Sequence, residues 1–252
     1  AGGMANIGES MMDGHSTVGS AGTGLGAMQR LSELFDIHSA PGRGTAILAR
    51  FRRKRAAPSH GAPPLTLAGI SVSMAGESVC GDVWDVQYRP GGAFALLVDG
   101  LGHGAFAADA ATAARSIFRS RAFAAPADAL SAIHEGIRHT RGAAGTIVDL
   151  RVTGRSISVA GVGNISTAVC GNGHVRQAVS HNGTLGHQAR YFKEYSYPWE
   201  PGALLVMHSD GIQSRWSLAD YPGLSQRDPA LIAALLARDF RRGHDDVTVL
   251  VA

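Results

Sequence analysis

The sequence predicts an α+β chain built from layered antiparallel sheets, and three observations carry that prediction. First, strand-like runs follow one another through short turns, at Val152-Thr153-Gly154-Arg155 and at Cys170-Gly171-Asn172-Gly173-His174. Connections this short join antiparallel neighbours. Second, the helical segments fall in two blocks instead of alternating with strands, as a doubly wound parallel sheet would require. Third, the composition breaks once. Residues 52–65, RRKRAAPSHGAPPL, are basic and then rich in Pro, Ala and Gly, without hydrophobic period. They read as a linker between a short segment, 1–51, and a long domain, 66–252.

In chain order, the short segment reads as a glycine-rich loop, a helix and a hairpin. Leu25, Met28, Leu31, Leu34 and Phe35 recur at helical spacing. Phe35 to Ser39 then reads as a strand, Pro41-Gly42-Arg43-Gly44 as a turn and Thr45 to Phe51 as the return strand. Some fifty residues with one helix and one hairpin make a poor core by themselves. In the long domain, strands are predicted over 67–74, 84–89, 93–99, 145–152, 155–161, 165–170, 203–209 and 246–251. Helices are predicted over 104–122, 126–139 and 228–240, and Gly161-Val162-Gly163-Asn164 reads as a turn between strands. His134 and His139 read as helix-surface residues without metal-ligand spacing.

Composition removes several function classes. A hydrophobic fraction of 45% in 252 residues supplies a real core. No apolar run approaches the roughly 20 residues of a membrane span, and AGGMANIGES at the start lacks the basic and apolar parts of a signal peptide. The net charge is only +3, and its basic excess sits at Arg50, Arg52, Arg53, Lys54 and Arg55 without interleaved aromatics. That run reads as a solvated linker, not a nucleic-acid surface. Cys80 and Cys170 read as reduced thiols of a cytoplasmic protein. The chain does not begin with Met, which suggests a piece of something longer.

Aspartates mark the chemistry. Asp82 follows Gly81 at the start of a strand. Asp99 ends the apolar run Ala95–Val98 and is followed by Gly100-Leu101-Gly102-His103-Gly104. Asp210 ends Leu204–Ser209, and Asp245 and Asp246 open the last strand. A carboxylate at a buried strand end is rigidly held yet near the surface, and several such ends can meet at one sheet edge. Clustered carboxylates repel unless a cation neutralises them, and an oxygen-only donor set favours Mg²⁺ or Mn²⁺ over zinc. Two such ions lower the pKa of a shared water and clamp a phosphoryl group. Glycine after Asp99 lets the backbone approach, so the Gly100 carbonyl could add a ligand. Any single Asp-Gly is more often a plain turn; it is the set of strand-end aspartates that points to a metal centre.

The ordered series GD (81–82), VDGLGHG (98–104), HSDGI (208–212) and DDVTVLV (245–251) resembles the metal-dependent protein serine/threonine phosphatases of type 2C (PPM), in their SpoIIE/RsbX-like branch. The resemblance covers about 66–252. It implies a four-layer αββα sandwich of two antiparallel sheets with two Mn²⁺ or Mg²⁺ ions at one edge. It also implies metal-binding and catalytic roles for Asp82, Asp99, Asp210 and Asp245, with Gly100 assisting and Asp246 ranked behind them. The reaction implied is direct attack of metal-activated water on phosphoserine or phosphothreonine. His103 has two readings, as the start of the helix after the metal loop or as a proton donor to the leaving group. Glu77 and Asp85 flank the first motif.

The N-terminal DGHSTVGSAGTGLGAMQRLSELFDIHSAPGRGT (13–45) resembles the C-terminal part of the GHKL ATPase fold, in its anti-sigma serine-kinase (RsbT/RsbW-like) type. There the glycines matching Gly22, Gly24 and Gly26 cover ATP phosphates through backbone N–H groups. The Mg²⁺-binding Asn and the adenine-reading Asp of that fold have no match here, so ATP is implied only if a missing first half precedes residue 1. The joint resemblance implies a partner-switching circuit whose substrate is a phosphorylated STAS-domain anti-anti-sigma protein, with anti-sigma and sigma factors as further components. The alternative is an ATP-binding anti-sigma or serine-kinase-type sensor with a non-catalytic phosphatase-like scaffold.

Overall fold

The structure, a computed structural model, describes residues 2–16, 19–51 and 65–252. All but the last residue of the 52–65 linker, and Thr17 and Val18 of the glycine-rich segment, lie outside the described residues. The N-terminal part holds α1 (Ile7–Ser10), α2 (Gly24–Leu31), β1 (Leu34–Ala40) and β2 (Gly44–Arg50). The rest runs β3 (Ala68–Val72), β4 (Asp82–Arg89), β5 (Gly92–Gly100), α3 (Ala105–Ser120), α4 (Pro126–Gly136), β6 (Ala143–Arg151), β7 (Ser156–Val162), β8 (Ser166–Gly171), β9 (His174–Gln177), β10 (Tyr195–Pro198), β11 (Leu204–His208), α5 (Pro229–Phe240) and β12 (Val247–Val251).

Two five-stranded antiparallel sheets, ordered β10-β7-β6-β5-β4 and β3-β12-β11-β8-β9, stack face to face. β5 shows why. Its residues Ala93 to Val98 are all buried, but successive side chains point to opposite faces. Ala93, Ala95 and Leu97 join Leu205, Met207 and Leu250 of the other sheet in the central core. Phe94, Leu96 and Val98 face outward and are covered by α3 and α4. Helix α3 offers Ala107, Ala110, Ala111, Ala114 and Phe118 along one stripe; four alanines bring its backbone close, and Phe118 stacks on Phe94 with ring centroids 4.9 Å apart. On the opposite outer face, Ile232, Leu235 and Leu236 of α5 bury Val206, Val247, Val249 and Val251. Helices therefore cover both outer faces of the paired sheets.

Three local differences from the sequence expectation have plain causes. Leu34 and Phe35 continue the helical spacing but belong to β1, because Ser32 turns extended (φ −86°, ψ 146°) and ends α2. Strands β9 and β10 lie at sheet edges, where fully exposed His174–Gln177 and half-exposed Tyr195–Pro198 carry no apolar alternation to signal them. The turn after β7 does not close a hairpin: β7 and β8 belong to different sheets, so residues 163–165 carry the chain across the sandwich.

The N-terminal hairpin is docked on α5. The Asp36 carboxylate accepts the backbone N–H of Asp228 at 2.8 Å and Arg227 Nη1 at 3.1 Å, so it holds the cap residue of α5. His38, buried, donates from Nε2 to the Pro222 carbonyl at 3.3 Å. Arg238 of α5 donates to the Arg43 carbonyl at 2.8 Å, and the Arg43 guanidinium lies 4.9 Å from the centre of the Tyr221 ring. Asp36→Ala is expected to lower stability by roughly 2 kcal/mol, the usual loss for hydrogen bonds to a charged group. It should also expose residues 34–50 to limited proteolysis ahead of the sandwich; an unchanged melting temperature and cleavage pattern would refute this.

Candidate metal centre

The aspartates arrive in two pairs, one from each sheet. In the β4–β5 ladder Asp82 and Asp99 are direct partners, so their side chains share a face. Like charges placed opposite each other repel, and nothing in the ladder relieves them. Asp210 lies two residues beyond β11 and Asp245 two residues before β12, in neighbouring strands of the second sheet. The bond from Ser209 N to the Thr248 carbonyl, 3.0 Å, keeps these ends side by side. The Ser209 hydroxyl ties the two sheets together: it donates to Asp82 Oδ2 at 2.6 Å and accepts the Thr248 N–H at 2.9 Å.

Asp99, Asp210 and Asp245 line a small open cleft with Leu101, Gly102, Ala144 and Asn164, while Asp82 is buried, 4% exposed. Burial is the main force raising the Asp82 pKa to about 7; the Ser209 hydrogen bond opposes it and the Asp246 charge adds to it. Burial and then the charges of Asp82, Asp210, Asp245 and Asp246 push Asp99 up to about 9. Asp210 is raised by burial and by Asp245, with Arg242 opposing.

The donor set fits a hard divalent cation. It is all carboxylate oxygen, it is short of positive charge, and among the described residues Asp210 Oδ1 is buried with no hydrogen-bond partner. Among the described residues no three His, Cys, Asp or Glu side chains converge tightly enough to close one ion's shell; repelling carboxylates have no cause to close without an ion between them.

Asp246, to which the resemblance gives a lower-ranked metal-binding role, is not among the residues lining the cleft. It is 2% exposed, and its oxygens accept the backbone N–H of Met74 at 2.7 Å and of Gly81 at 2.8 Å. Both oxygens are thus engaged by the chain, and the side chain fixes the loop that delivers Asp82. A Cβ on Gly81 would stand 2.8 Å from Asp246 Oδ2, so glycine is required there. Gly100 has a similar reason: its Cβ would fall 2.1 Å from the Ala107 carbonyl oxygen of α3.

His103 does not start α3. Gly104, at φ +73°, is the N-cap, and the His103 ring Nδ1 is 2.6 Å from Glu77 Oε1. Asp85 is buried and paired with Arg119 at 2.5 Å, away from the metal set. His134 is not a surface residue: it is buried, accepts the Gly186 N–H at Nδ1 (3.1 Å), and burial lowers its pKa. His139 is exposed, just beyond α4. Burial lifts the Cys80 and Cys170 thiols to about 12 and about 11, so neither is a ready nucleophile. Gly22, Gly24 and Gly26 take no part in the cleft; they lie before and within the first turn of α2.

Sequence reasoning missed Asn164 and Ser209. Asn164 Nδ2 donates to Asp210 Oδ2 at 2.7 Å from the link between sheets, where Gly163 adopts φ +92°. The Gly-Asn step signalled a turn, but only the crossing of the sandwich turns that residue toward Asp210.

Two antiparallel sheets with outer helices form the sandwich shared by solved PP2C domains. The chain belongs to the SpoIIE family: the profile described as "Stage II sporulation protein E (SpoIIE)" matches residues 89–252. It is similar to "Phosphoserine phosphatase RsbX" of Bacillus subtilis (strain 168), 22% identical over 138 residues, covering 54% of this chain and 69% of the relative. A structure described in "The bacterial stressosome: a modular system that has been adapted to control secondary messenger signaling" aligns with a TM-score of 0.69 and 27% identity, over 73% of this chain and 97% of that one. RsbX in complex with magnesium aligns with a TM-score of 0.61 and 18% identity, over 73% and 92% of the two chains.

Proposed function

We propose that residues 66–252 form a metal-dependent protein phosphatase that hydrolyses phosphoserine or phosphothreonine on a regulatory protein. The observation that carries this reading is the meeting of carboxylates from both sheets at one edge, with Asp82 and Asp99 driven toward protonation first by burial and then by the charges of neighbouring aspartates. A divalent cation relieves that repulsion. Asp82, Asp99, Asp210 and Asp245, with the Gly100 carbonyl, would hold two Mn²⁺ or Mg²⁺ ions. Such ions supply a water of lowered pKa and a clamp on the phosphoryl oxygens.

The chain's own contribution is orientation. Ser209 fixes Asp82 and Asn164 fixes Asp210, each through one carboxylate oxygen. Asp246 holds the Gly81 loop. To His103, which is bonded to Glu77 and follows Gly102 of the cleft wall, we assign the proton given to the departing seryl oxygen.

RsbX is named a phosphoserine phosphatase, and this supports the same substrate class here. The substrate we assign is a phosphorylated STAS-domain regulator in a partner-switching circuit; the N-terminal helix and hairpin then represent the C-terminal part of a GHKL ATPase unit. Among the described residues no helix is long and apolar enough to cross a membrane.

The test is Mn²⁺-dependent hydrolysis of a phosphoserine peptide. Activity should appear with Mn²⁺, vanish on chelation and return when the ion is restored. Calorimetry separates the sensor alternative: Mn²⁺ binding without ATP binding supports the phosphatase, and ATP binding without hydrolysis supports the sensor.

A further inference from the structure

Beside the cleft lies a broader hollow, about 650 Å³, bordered by Phe106, Asp109, His139, Arg141 and His187. His187 also borders a second hollow of about 670 Å³ that contains Arg190, so the two hollows adjoin at that residue and make up a trough. The trough is anchored to the metal loop. Leu101 N donates to the Gly142 carbonyl at 3.0 Å, and Arg141 Nη1 stands 3.2 Å from the point where a Cβ on Gly102 would lie.

Arg141 is exposed, and its guanidinium lies 4.9 Å from the centre of the Phe106 ring, itself 65% exposed. A contact with the ring face leaves the guanidinium's N–H donors free for another partner. Among the described residues neither Arg141 nor Arg190 has a carboxylate partner. Arg141 borders the trough but is not among the residues lining the cleft itself. The lining of the two hollows thus carries two guanidiniums, Arg141 and Arg190, with the His139 and His187 imidazoles, against one carboxylate, Asp109.

We propose that this trough receives an acidic segment of the substrate polypeptide next to the phosphorylated residue, with Arg141 and Arg190 reading its carboxylates. This rests on the phosphatase reading for its setting. An arginine fork is suited to carboxylate recognition, and a basic trough draws in an acidic partner.

The experiment compares two phosphoserine peptides that differ only in flanking Glu or Lys, with p-nitrophenyl phosphate as a substrate lacking flanks. The full chain should prefer the acidic peptide by about tenfold or more in kcat/KM, since bonds to charged groups are each worth about that factor. The preference should shrink at high salt. Arg141→Glu with Arg190→Glu should abolish or reverse it through KM, while p-nitrophenyl phosphate turnover stays within about twofold. Equal use of both peptides by the unmodified chain overturns the proposal. So does an equal loss toward p-nitrophenyl phosphate, which would place the arginines on the phosphoryl group. Fluorescence anisotropy with the labelled acidic peptide keeps the two readings apart. Charge-selective binding without hydrolysis retains the trough and sinks the phosphatase; hydrolysis without charge preference does the opposite.

Discussion

Asp99→Asn should lower Mn²⁺-dependent phosphopeptide hydrolysis by roughly a thousandfold or more, about 4 kcal/mol of transition-state stabilisation, and Asp210→Asn should do the same. Each substitution removes an anionic oxygen from the set proposed to hold the cations, and an amide replaces it poorly. The fold should survive. Asp99 is already costly in the metal-free protein, because burial and four neighbouring carboxylates raise it to about 9.

The pH consequence has a definite sign. Asp82 and Asp99 hold their protons more tightly folded than unfolded. Between the ordinary carboxylate range near 4 and the raised values of about 7 and about 9, the native state therefore binds more protons. Stability of the metal-free protein falls as pH rises through that window. Asparagine cannot ionise, so the Asp99→Asn protein should melt higher than the parent without metal above neutral pH. It should also gain less from added Mn²⁺. Metal competes with the same protons, so Mn²⁺ should stabilise the parent more as pH rises. Thermal melts across pH, with and without Mn²⁺, check this. Unchanged hydrolysis by either variant refutes the site, and a lower metal-free melting temperature for Asp99→Asn refutes the electrostatic account.

Gly100→Ala should be nearly as damaging by a steric route. The added methyl would lie 2.1 Å from the Ala107 carbonyl oxygen and 2.6 Å from its carbon. Neither is a flexible side-chain tip. Helix α3 cannot withdraw cheaply, because Ala111, Ala114 and Phe118 hold it against the sheet. The expected cost is about 3 kcal/mol of stability, the upper part of the overpacking range. The end of β5 must move with Asp99 on it, and a shift near 1 Å costs about a hundredfold in rate. Paired urea titrations and Mn²⁺ calorimetry test both halves. A variant that binds Mn²⁺ and turns over as the parent does would show that the loop yields without cost.

The sandwich strands were legible where burial imposed a pattern. β5 is an apolar run ending in Asp-Gly, and a strand end with a carboxylate is visible in one dimension. Edge strands β9 and β10 were not, since exposed residues such as His174 and Arg176 obey no hydrophobic period. The same limit governed the site. Asp82, Asp99, Asp210 and Asp245 carry their own signal in charge and position. Asn164 and Ser209 do not: their work depends on which sheet the chain crosses to and which carboxylate it meets there. Asp246 shows the converse limit. Beside Asp245 it looks like one more ligand, and only the N–H groups of Met74 and Gly81, far away in sequence, reveal that its oxygens are already engaged. The trough was invisible for the same reason, because Phe106 and Arg141 meet only after folding.

The division of the carboxylates, two per sheet, makes the gap between them a property of the whole sandwich. Leu97, Leu205 and Met207, packed between the sheets, set how far apart those two halves stand. Residues that never touch an ion therefore act as a caliper on the site. Exchanging one of them for a smaller or larger neighbour should then alter how firmly the proposed site holds its ions, without changing any of the carboxylates themselves. In such an architecture metal preference can drift through core substitutions that look, residue by residue, like mere repacking.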